Sequence, residues 1–451
     1  MTNDSSEKSA SAAPLGSEQN LVSDRLNQTP VSVEPIAKEY MIFFKDKKVN
    51  LIDTYFSVAK DLGIIHLSID DVPHDGKSYS VGGKPLTSFA NCSYLGLEIH
   101  DKVKAGAIEA IERYGLSFNM SRAYASNPLL AELETLLSEI TGAYTLATLS
   151  TGRAHEAFMS VMIQPGDLVI LDQQVHTTVQ IASGIAVARG ATVTVVPHND
   201  MLSLNTLLED ASDDGKVNNV WYLGDGLYSM YGDFAPVQTL VSLLDKYPKF
   251  HCYLDDAHAL SILGRHGRGY VLSQMDELHE KMVVALSLGK SFGMGQGGCL
   301  VIPRKEWYRK IQIAGGSLIF GSPLSIPSLG AGIASAKLHL SEEIVDLQKR
   351  LRNNLEYFDD QAKARGLSFL SSRQSPIKYA KFGAFDRAIA AAKDIFDQGM
   401  HINITAYPAV PRDFCGVRLT LTVHHTHADI DAILNAVGHA YRHTEALEAT
   451  R

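Results

Sequence analysis

Short β-rich runs alternate with helix-like stretches between residues 100 and 302, and this alternation constrains the fold more than any other feature. Strands that are separated by helices of about ten or more residues form βαβ units, which build a mainly parallel sheet. Functional groups of such a sheet lie at the carboxyl ends of its strands and in the loops that follow. The sequence therefore predicts an α/β fold with its chemistry at one edge of the sheet. The β-rich runs cover residues 144–149, 168–171, 192–196, 219–223, 251–254, 282–286 and 298–302.

Polar residues stand just after several of these predicted strands. Asp255 ends one of them, and Lys290 lies in the Gly-rich loop after another. His176 and Ser287 also follow predicted strands. A lysine can form a Schiff base with the aldehyde of pyridoxal 5'-phosphate (PLP), and a carboxylate can keep the ring nitrogen of PLP protonated. The positions of Asp255 and Lys290 therefore predict a PLP site.

Composition and charge exclude several other classes of protein. The 451 residues suggest about two to three structural units, and 45% hydrophobic with 20% charged residues is ordinary for a soluble globular protein. A net charge of -9 leaves no broad basic field for nucleic acid. No CxxC pair occurs among the four cysteines, so we expect buried free thiols and no metal site.

Targeting and membrane signals are also missing from the sequence. No apolar stretch is long and uncharged enough to span a bilayer. The first residues lack the basic-then-apolar order of a signal peptide. We therefore expect a cytoplasmic protein without a membrane span.

The composition changes along the chain, and these changes predict its division into parts. Residues 1–35 are rich in Ser, Ala, Asn, Gln and Glu, which predicts a tail that is disordered or draped over a partner subunit. An N-terminal segment over 36–99 precedes a large PLP-binding domain over 100–335 and a smaller α/β domain over 336–451. Outside the β-rich runs, the patterns predict helices over 49–62, 103–114, 129–141 and 331–350 and strands over 85–90 and 417–423.

Several sequence strings, in a fixed order, resemble one known family. They are DGLYSMYGDFAP at 225–236, LDDAH at 254–258, GRHGRG at 264–269, the lysine loop ALSLGKSFGMGQGG at 285–298 and RLTLT at 418–422. From about residue 85 to about residue 440 the chain is similar to the α-oxoamine synthases, which are fold-type I PLP enzymes. The group includes 8-amino-7-oxononanoate synthase, 2-amino-3-ketobutyrate ligase, 5-aminolevulinate synthase and serine palmitoyltransferase.

The resemblance implies a fold and a reaction. The fold is that of the fold-type I PLP-dependent transferases, in which a large domain with a mainly parallel seven-stranded sheet carries a smaller α/β C-terminal domain. The reaction is a decarboxylative Claisen-type condensation of an amino acid with an acyl thioester, carried by coenzyme A or an acyl-carrier protein, which gives an α-amino ketone. A homodimer with a shared active site is implied as well.

The resemblance also assigns roles around the cofactor ring. Lys290 is the Schiff-base lysine and later the proton-transfer group, and Asp255 pairs with the ring nitrogen. His258 and Ser229 hydrogen-bond near the phenolic oxygen of the ring. His176 stacks on the ring face, where an aromatic group excludes water and orients the cofactor.

Further residues are assigned to the phosphate of the cofactor. Ser287 holds it, together with the backbone around Thr151, Gly152 and Arg153 at a helix N-terminus. Ser322 corresponds to a phosphate contact that the family supplies from the second subunit. The phosphate site is therefore expected to be complete only in a dimer.

Two residues are assigned to the substrate, and two departures from the family bear on its identity. Arg418 grips the carboxylate of the amino acid as a bidentate fork. Ser93 stands where the family commonly has an asparagine that helps to hold the substrate. Bulky residues over 116–122 replace a Gly-rich stretch and are expected to reshape the acyl pocket or the thioester entrance. These departures favour a specialised acyl chain or a carrier-protein thioester, in specialised metabolism or signalling, over biotin or haem synthesis.

A third departure lies in the predicted phosphate loop. Arg153 replaces the usual aromatic or apolar residue, so it could contact the cofactor or an acidic substrate, or form a local ion pair with Glu156. His155 and Glu156 are themselves expected on a helix surface.

Two alternatives remain open on the sequence. Another PLP reaction on the same fold, by an aminotransferase, an aldolase or a decarboxylase, would also need Lys290 and Asp255. A non-catalytic subunit that stabilises an active partner is the second alternative, although such subunits typically lack the lysine.

Overall fold

The computed structural model describes residues 46–449, so the tail predicted over residues 1–35 lies outside the described residues. The described chain begins with a helix and a β-hairpin, followed by two helices, of which the second packs on the first strand of the central sheet. The second of them ends at Gly142, a glycine in the left-handed region with φ of 74°. These elements are α1 (Asp46–Asp61), β1 (Ser78–Val81), β2 (Lys84–Ser88), α2 (Asp101–Tyr114) and α3 (Pro128–Thr141).

A seven-stranded sheet forms the centre of the molecule, and each of its strands lies where the sequence predicts one. Its elements are β3 (Tyr144–Thr148), α4 (Thr151–Met162), β4 (Leu168–Asp172), α5 (Thr177–Ala188), β5 (Thr192–Val196), α6 (Met201–Asp213), β6 (Val220–Asp225), α7 (Val237–Lys246), β7 (Phe250–Asp255), α8 (Tyr270–Ser273), β8 (Met282–Ser287) and β9 (Gly298–Ile302). The strand order is β3-β9-β8-β7-β6-β4-β5. Neighbouring strands are parallel along β8-β7-β6-β4-β5. Strand β9 is antiparallel to both of its neighbours, β8 and β3.

The middle strands are buried on both faces, and their sequences explain why. Every residue of β6, VWYLGD, is buried. Val220 and Tyr222 belong to the apolar core on one face of the sheet, whereas Trp221 and Leu223 belong to the core on the other. Continuous apolar runs of this kind are typical of parallel sheets covered by helices on both sides. The fold prediction is therefore confirmed at the level of the sheet.

The second half of the chain adds helices and small sheets. Strand β11 (Met400–His401) pairs in parallel with β2, which ties the N-terminal segment to the C-terminal one. Strands β10 (Ile377–Gly383), β13 (Cys415–Thr420) and β12 (Asn403–Thr405) form a separate sheet in that order. The predicted boundaries at residues 99 and 335 stay predictions. These elements are α9 (Lys305–Ala314), α10 (Gly316–Ile319), α11 (Ile326–His339), α12 (Glu342–Ala364), β10 (Ile377–Gly383), α13 (Phe385–Asp397), β11 (Met400–His401), β12 (Asn403–Thr405), β13 (Cys415–Thr420) and α14 (His427–Ala449).

The prediction of one long helix over 331–350 is wrong. Helix α11 ends at His339, and α12 begins at Glu342. The side chain of Ser341 accepts a hydrogen bond from the backbone N–H of Glu343 and so caps a new helix. Two acidic residues in the first turn of α12 favour its start further, because they face the positive end of the helix dipole.

No helix between residues 46 and 449 is long and apolar enough to cross a bilayer. The cytoplasmic location stays a prediction.

Strand β9 approaches the start of α4 so closely that only glycine fits at its first position. A Cβ atom added to Gly298 would lie 2.5 Å from the backbone nitrogen of Thr151. We expect Gly298→Ala to lower the Tm by several degrees, because overpacking costs about 1–3 kcal/mol and each kcal/mol shifts the Tm of a domain this size by about 2–4 °C. Gly184→Ala is the control, since Gly184 lies inside α5 with open space around it and alanine favours helix. Thermal unfolding followed by circular dichroism measures both, and equal Tm values for the two variants would contradict the close approach.

Candidate active site

Three neighbouring strands end in polar residues at the same edge of the sheet. Strands β6 and β7 end at Asp225 and Asp255, which lie opposite each other in the parallel register. Strand β8 ends at Ser287, and Lys290 lies in the turn that follows. The parallel topology thus brings together residues that are 65 positions apart in the sequence. The grouping of Asp255, Ser287 and Lys290 that the sequence predicted is present.

Lys290 contacts a histidine and not a carboxylate. Its Nζ lies 2.8 Å from Nε2 of His258, whose Nδ1 lies 2.7 Å from the hydroxyl of Tyr94. Burial lowers the pKa of Lys290, and burial followed by the charge of Lys290 holds the pKa of His258 well below its ordinary value. A neutral His258 can accept a hydrogen bond from Nζ of Lys290 at its Nε2. It can donate one from its Nδ1 to the hydroxyl of Tyr94. We assign this tautomer from these contacts.

The two strand-end carboxyl groups divide one negative charge between them. Burial, followed by the charge of Asp255, raises the pKa of Asp225 well above its ordinary value. Burial would also raise the pKa of Asp255, but His155 and then His176 outweigh it and lower that pKa. Two close carboxyl groups rarely ionise together. Of the two, Asp255 is therefore the carboxyl group that ionises first.

His176 caps helix α5 at the carboxyl end of β4. Its backbone N–H donates to Oδ1 of Asp225 at 3.0 Å, and its Nδ1 lies 2.7 Å from the hydroxyl of Thr178. Burial lowers the pKa of His176 although the charge of Asp255 opposes this. Asp225 thus holds the backbone of His176, and Thr178 holds its imidazole.

The N-terminus of α4 lies beside the end of β8. Ser150 caps this helix by accepting the backbone N–H of Arg153, so the N–H groups of Thr151 and Gly152 lack an intrahelical acceptor. Exposed N–H groups and the helix dipole together favour an anion. The side chain of Arg153 lies 2.6 Å from Glu156, so the local ion pair is the alternative that the structure shows.

Arg418 is a buried cation on β13. Its side chain is 5% exposed, and its Nε donates to the carbonyl oxygen of Ser229 at 2.5 Å. Within residues 46–449, no ion pair joins Arg418 or Lys290 to a carboxylate. Buried charges are expensive unless they are paired. The guanidinium therefore has capacity for an anionic ligand.

Arg418 and His176 face one cavity of about 570 Å³. Ser229, Asn403 and Thr405 add polar groups to the same wall. Most of the other lining residues are apolar, and among them Tyr55 stacks on Phe385 with ring centroids 3.9 Å apart. The cavity therefore offers a cationic end beside an apolar wall. Its apolar lining includes Ile52, Tyr55, Phe56, Ala59, Ile65, Met230, Phe385, Ile404 and Pro408.

Two predicted site residues lie elsewhere in the single chain. The hydroxyl of Ser93 donates a hydrogen bond to the carboxylate of Glu98. Ser322 lines a separate small groove together with Phe118 and Met120, next to the end of β3. Within the described chain neither hydroxyl lines the cavity that Arg418 faces, and Lys290, Asp255, His258 and Ser287 do not line it either.

The prediction that His155 lies on a helix surface is wrong. Its side chain is 0% exposed, and its Nε2 lies 3.2 Å from Oδ2 of Asp255. Helix α4 packs on the sheet through a stripe that includes His155, Phe158 and Met159. Spacings of three and four residues mark the buried face of a helix, so the sequence held the signal. Glu156 is only partly exposed and pairs with Arg153.

A buried ionic network behind the site was also missed. His198 lies 2.9 Å from Asp172 and 2.8 Å from Asp233. Burial alone would lower the pKa of His198, but the two carboxylates raise it well above its ordinary value. This cation joins the end of β4, which leads to His176, to the loop that carries Ser229. Nothing in the local sequence marks these three residues as partners, because they come from three separate segments.

The donor set fits PLP. The cofactor carries an aldehyde for a neutral lysine, a ring nitrogen for a carboxylate and a phosphate for exposed N–H groups. Lys290 with its lowered pKa, the ionised Asp255 and the α4 N-terminus at Thr151 supply these three groups at one edge of the sheet. A half-buried lysine that contacts a histidine, and no carboxylate within residues 46–449, is the observation on which this match depends.

Comparison with known proteins agrees with this chemistry. Residues 85–437 match the family Aminotransferase class I and II. The chain is 30% identical over 359 residues to the 8-amino-7-oxononanoate synthase of Thermoanaerobacter pseudethanolicus, which covers 79% of this chain and 88% of that protein. It is 31% identical over 360 residues to a putative 8-amino-7-oxononanoate synthase of Desulforudis audaxviator, with 79% and 90% covered.

Solved structures share the fold. A serine palmitoyltransferase from S. paucimobilis with bound PLP and myriocin superposes with a TM-score of 0.79 at 22% identity, covering 89% of this chain and 98% of that one. The 8-amino-7-oxononanoate synthase of Francisella tularensis gives a TM-score of 0.67 at 20% identity, with 80% and 99% covered. At these identities the likeness concerns the fold alone.

Fold, family match and relatives lead to one assignment. The chain belongs to the aminotransferase class I and II family, within its α-oxoamine synthases, which are fold-type I PLP-dependent acyltransferases that condense an amino acid with an acyl thioester.

Proposed function

We propose that this chain performs that condensation in the cavity between Arg418, His176 and the apolar wall of α1. The observation that carries the proposal is the buried guanidinium of Arg418, which has no carboxylate partner within the described chain and faces an apolar surface. A substrate that combines a carboxylate with an apolar group matches both ends of the cavity. An amino acid and an acyl chain together have this chemistry.

PLP, when bound, supplies an electron sink for the bonds at the α-carbon of the amino acid. Lys290 would hold its aldehyde carbon, and Asp255 would hold its ring nitrogen. His176 would cover the ring, and the N–H groups at Thr151 with the hydroxyl of Ser287 would hold its phosphate. Ser229 is placed beside Arg418 and would contact the ring from the side of the cavity.

Proton transfer falls to Lys290. Burial lowers the pKa of its amine, which favours the uncharged form. An uncharged Nζ can take a proton from the α-carbon of the substrate. His258 accepts a hydrogen bond from that Nζ at 2.8 Å. Tyr94 in turn holds His258. The lysine therefore receives and returns the proton from a fixed direction.

Arg418 orients the amino acid. Its Nε donates to the carbonyl of Ser229 and its charge lies beside the phenol of Tyr94, so its terminal nitrogens would be the donors to the substrate carboxylate. A fork of two donors fixes the carboxylate in one plane. Loss of the carboxyl group as carbon dioxide would then release the ligand from Arg418 and leave the guanidinium ready for the next substrate.

The acyl group would lie against the apolar wall. A cavity of about 570 Å³ is within the range of about 300–1,000 Å³ that small-molecule sites occupy. Tyr55 and Phe56 of α1 form much of this wall, and Pro408 and Ile404 face them from the C-terminal part of the chain. Phe118 and Met120, which the sequence assigned to the acyl pocket or the thioester entrance, line the groove beside Ser322, and that assignment stays a prediction. The identity of the acyl chain and of its carrier stays a prediction from the sequence.

Free thiol released from an acyl-coenzyme A tests the reaction. The account expects release only when an amino acid and PLP are both present, and glycine, alanine and serine are the donors to try first. For Arg418→Gln we expect kcat/KM for the amino acid to fall about 10- to 100-fold, because a hydrogen bond to a charged group contributes about 1.5–3 kcal/mol. Arg373→Gln is the matched control, since Arg373 is exposed and pairs only with Asp360.

Two outcomes would contradict the proposal. Formation of a keto acid without any thioester would indicate an aminotransferase on the same fold. An unchanged kcat/KM in Arg418→Gln would remove the guanidinium from substrate binding even if thiol release occurs.

We also propose that two copies of this chain share the site. Exposed apolar side chains surround the groove that holds Ser322, and the hydroxyl of Ser121 bonds the carbonyl of Ile319 to join its two segments. Large exposed apolar patches mark interaction surfaces. A second copy that covers this patch would bring Ser322 to the partner's phosphate site, as the family resemblance implies. The exposed residues are Leu116, Phe118, Met120, Tyr124 and Phe320.

A charge placed in this patch tests the dimer. Phe320 is 87% exposed in the single chain, and we expect Phe320→Glu to produce monomers in sedimentation velocity and to weaken PLP binding. Leu202→Glu is the control, because Leu202 is 77% exposed on α6 and lies outside the patch. A dimer that survives Phe320→Glu unchanged would place the interface elsewhere.

A further inference from the structure

His155 is a fully buried histidine whose Nε2 has one polar neighbour. Its Nδ1 lies 2.6 Å from the hydroxyl of Tyr253, and its Nε2 lies 3.2 Å from Oδ2 of Asp255. The N–H at Nε2 is not aligned for a hydrogen bond in this arrangement. Hydrogen bonds in active sites are often poorly aligned before the ligand binds and tighten afterwards. A buried imidazole nitrogen without an aligned partner is costly, so its direction towards Asp255 needs an explanation.

The contacts fix the direction of the proton. Burial, followed by the charge of Asp255, raises the pKa of Tyr253, so its phenol stays protonated. A phenol that donates to Nδ1 leaves the single proton of a neutral imidazole on Nε2. The order of donors is then Tyr253 hydroxyl to Nδ1 of His155, and Nε2–H of His155 to Oδ2 of Asp255.

Each oxygen of Asp255 has a possible donor beside it. Oδ1 accepts the backbone N–H of Ala257 at 3.0 Å, and Oδ2 faces His155. One donor alone would leave the carboxylate free to rotate about its Cβ–Cγ bond, whereas two donors on opposite oxygens fix its plane. His155 and Tyr253 come from α4 and β7, so the support is independent of the loop that carries Ala257.

We propose that His155 is a positioning residue that holds the carboxylate of Asp255 for the ring nitrogen of the cofactor, with Tyr253 setting its tautomer. His155 does not itself touch the cofactor in this proposal and acts through Asp255. The inference rests on the proposed role of Asp255. Its effect is to keep one carboxylate oriented and ionised where the ring nitrogen needs a negative partner.

The apo-protein gives the first test, because it needs no cofactor. Selective 15N labelling of histidine, with the signal assigned by its loss in His155→Gln, should report a neutral imidazole protonated at Nε2. Tyr253→Phe should convert this signal to a mixture of both tautomers. A proton on Nδ1 in the wild type would overturn the proposed direction of the donors.

Cofactor affinity gives the second test. We expect His155→Leu to raise the Kd for PLP, measured by fluorescence titration, about 10- to 100-fold, the range of a hydrogen bond to a charged group. His155→Gln keeps a donor near Nε2 and should recover most of the affinity. The visible absorbance of bound PLP should change its pH dependence in His155→Leu, a result that lost packing alone would not produce.

A second buried histidine separates positioning from stability. His339 is 0% exposed and lies 2.8 Å from the hydroxyl of Ser261, away from Asp255. His339→Leu should lower the Tm while leaving the Kd for PLP unchanged. Equal Kd values in the wild type and His155→Leu would overturn the inference but leave the proposed function intact. Failure of the wild type itself to bind PLP would instead contradict the proposed function.

Discussion

Buried charge without a carboxylate counterion is the constraint on which this site depends. Arg418 is buried and Lys290 is half-buried, and within residues 46–449 neither forms an ion pair with a carboxylate. Removal of one charge from water costs several kcal/mol unless something offsets it. Burial lowers the pKa of Lys290, which favours its uncharged amine and so reduces this cost at the lysine. The remaining cost at Arg418 is offset when an anionic substrate binds, so the same feature that strains the free protein selects the ligand.

The residues around the charged groups have shifted pKa values, which keep the protonation states of the site distinct. His258 and His176 have pKa values lowered by burial, while Asp225 has a raised one. Asp255 is thereby the ionised carboxylate at the strand ends. A cationic His198 between two carboxylates lies further back and fixes the loops without adding net positive charge to the site. Positioning and charge control are thus divided between different residues.

Much of the fold followed from the sequence, because its signals are local. Apolar runs bounded by polar strand ends located all seven strands of the central sheet, and the order of Asp255 and Lys290 relative to them indicated the chemistry. The break between α11 and α12 was missed because Ser341 resembles any polar residue within a helix until its cap is seen. His155 was missed for a related reason, since a histidine beside a glutamate looks exposed. Its spacing of three and four residues from Phe158 and Met159 marks the buried face of α4, a signal that the charged neighbour obscured.

Visible absorbance after addition of PLP to the purified apo-protein tests the central claim most directly. That claim is that the buried amine of Lys290, held by His258, is the attachment point of the cofactor. We expect an absorbance band in the wild type that is absent from Lys290→Ala. The control variant Lys337→Ala, which changes an exposed lysine, should keep the band. An identical band in the wild type and Lys290→Ala, or no band in either, would contradict it.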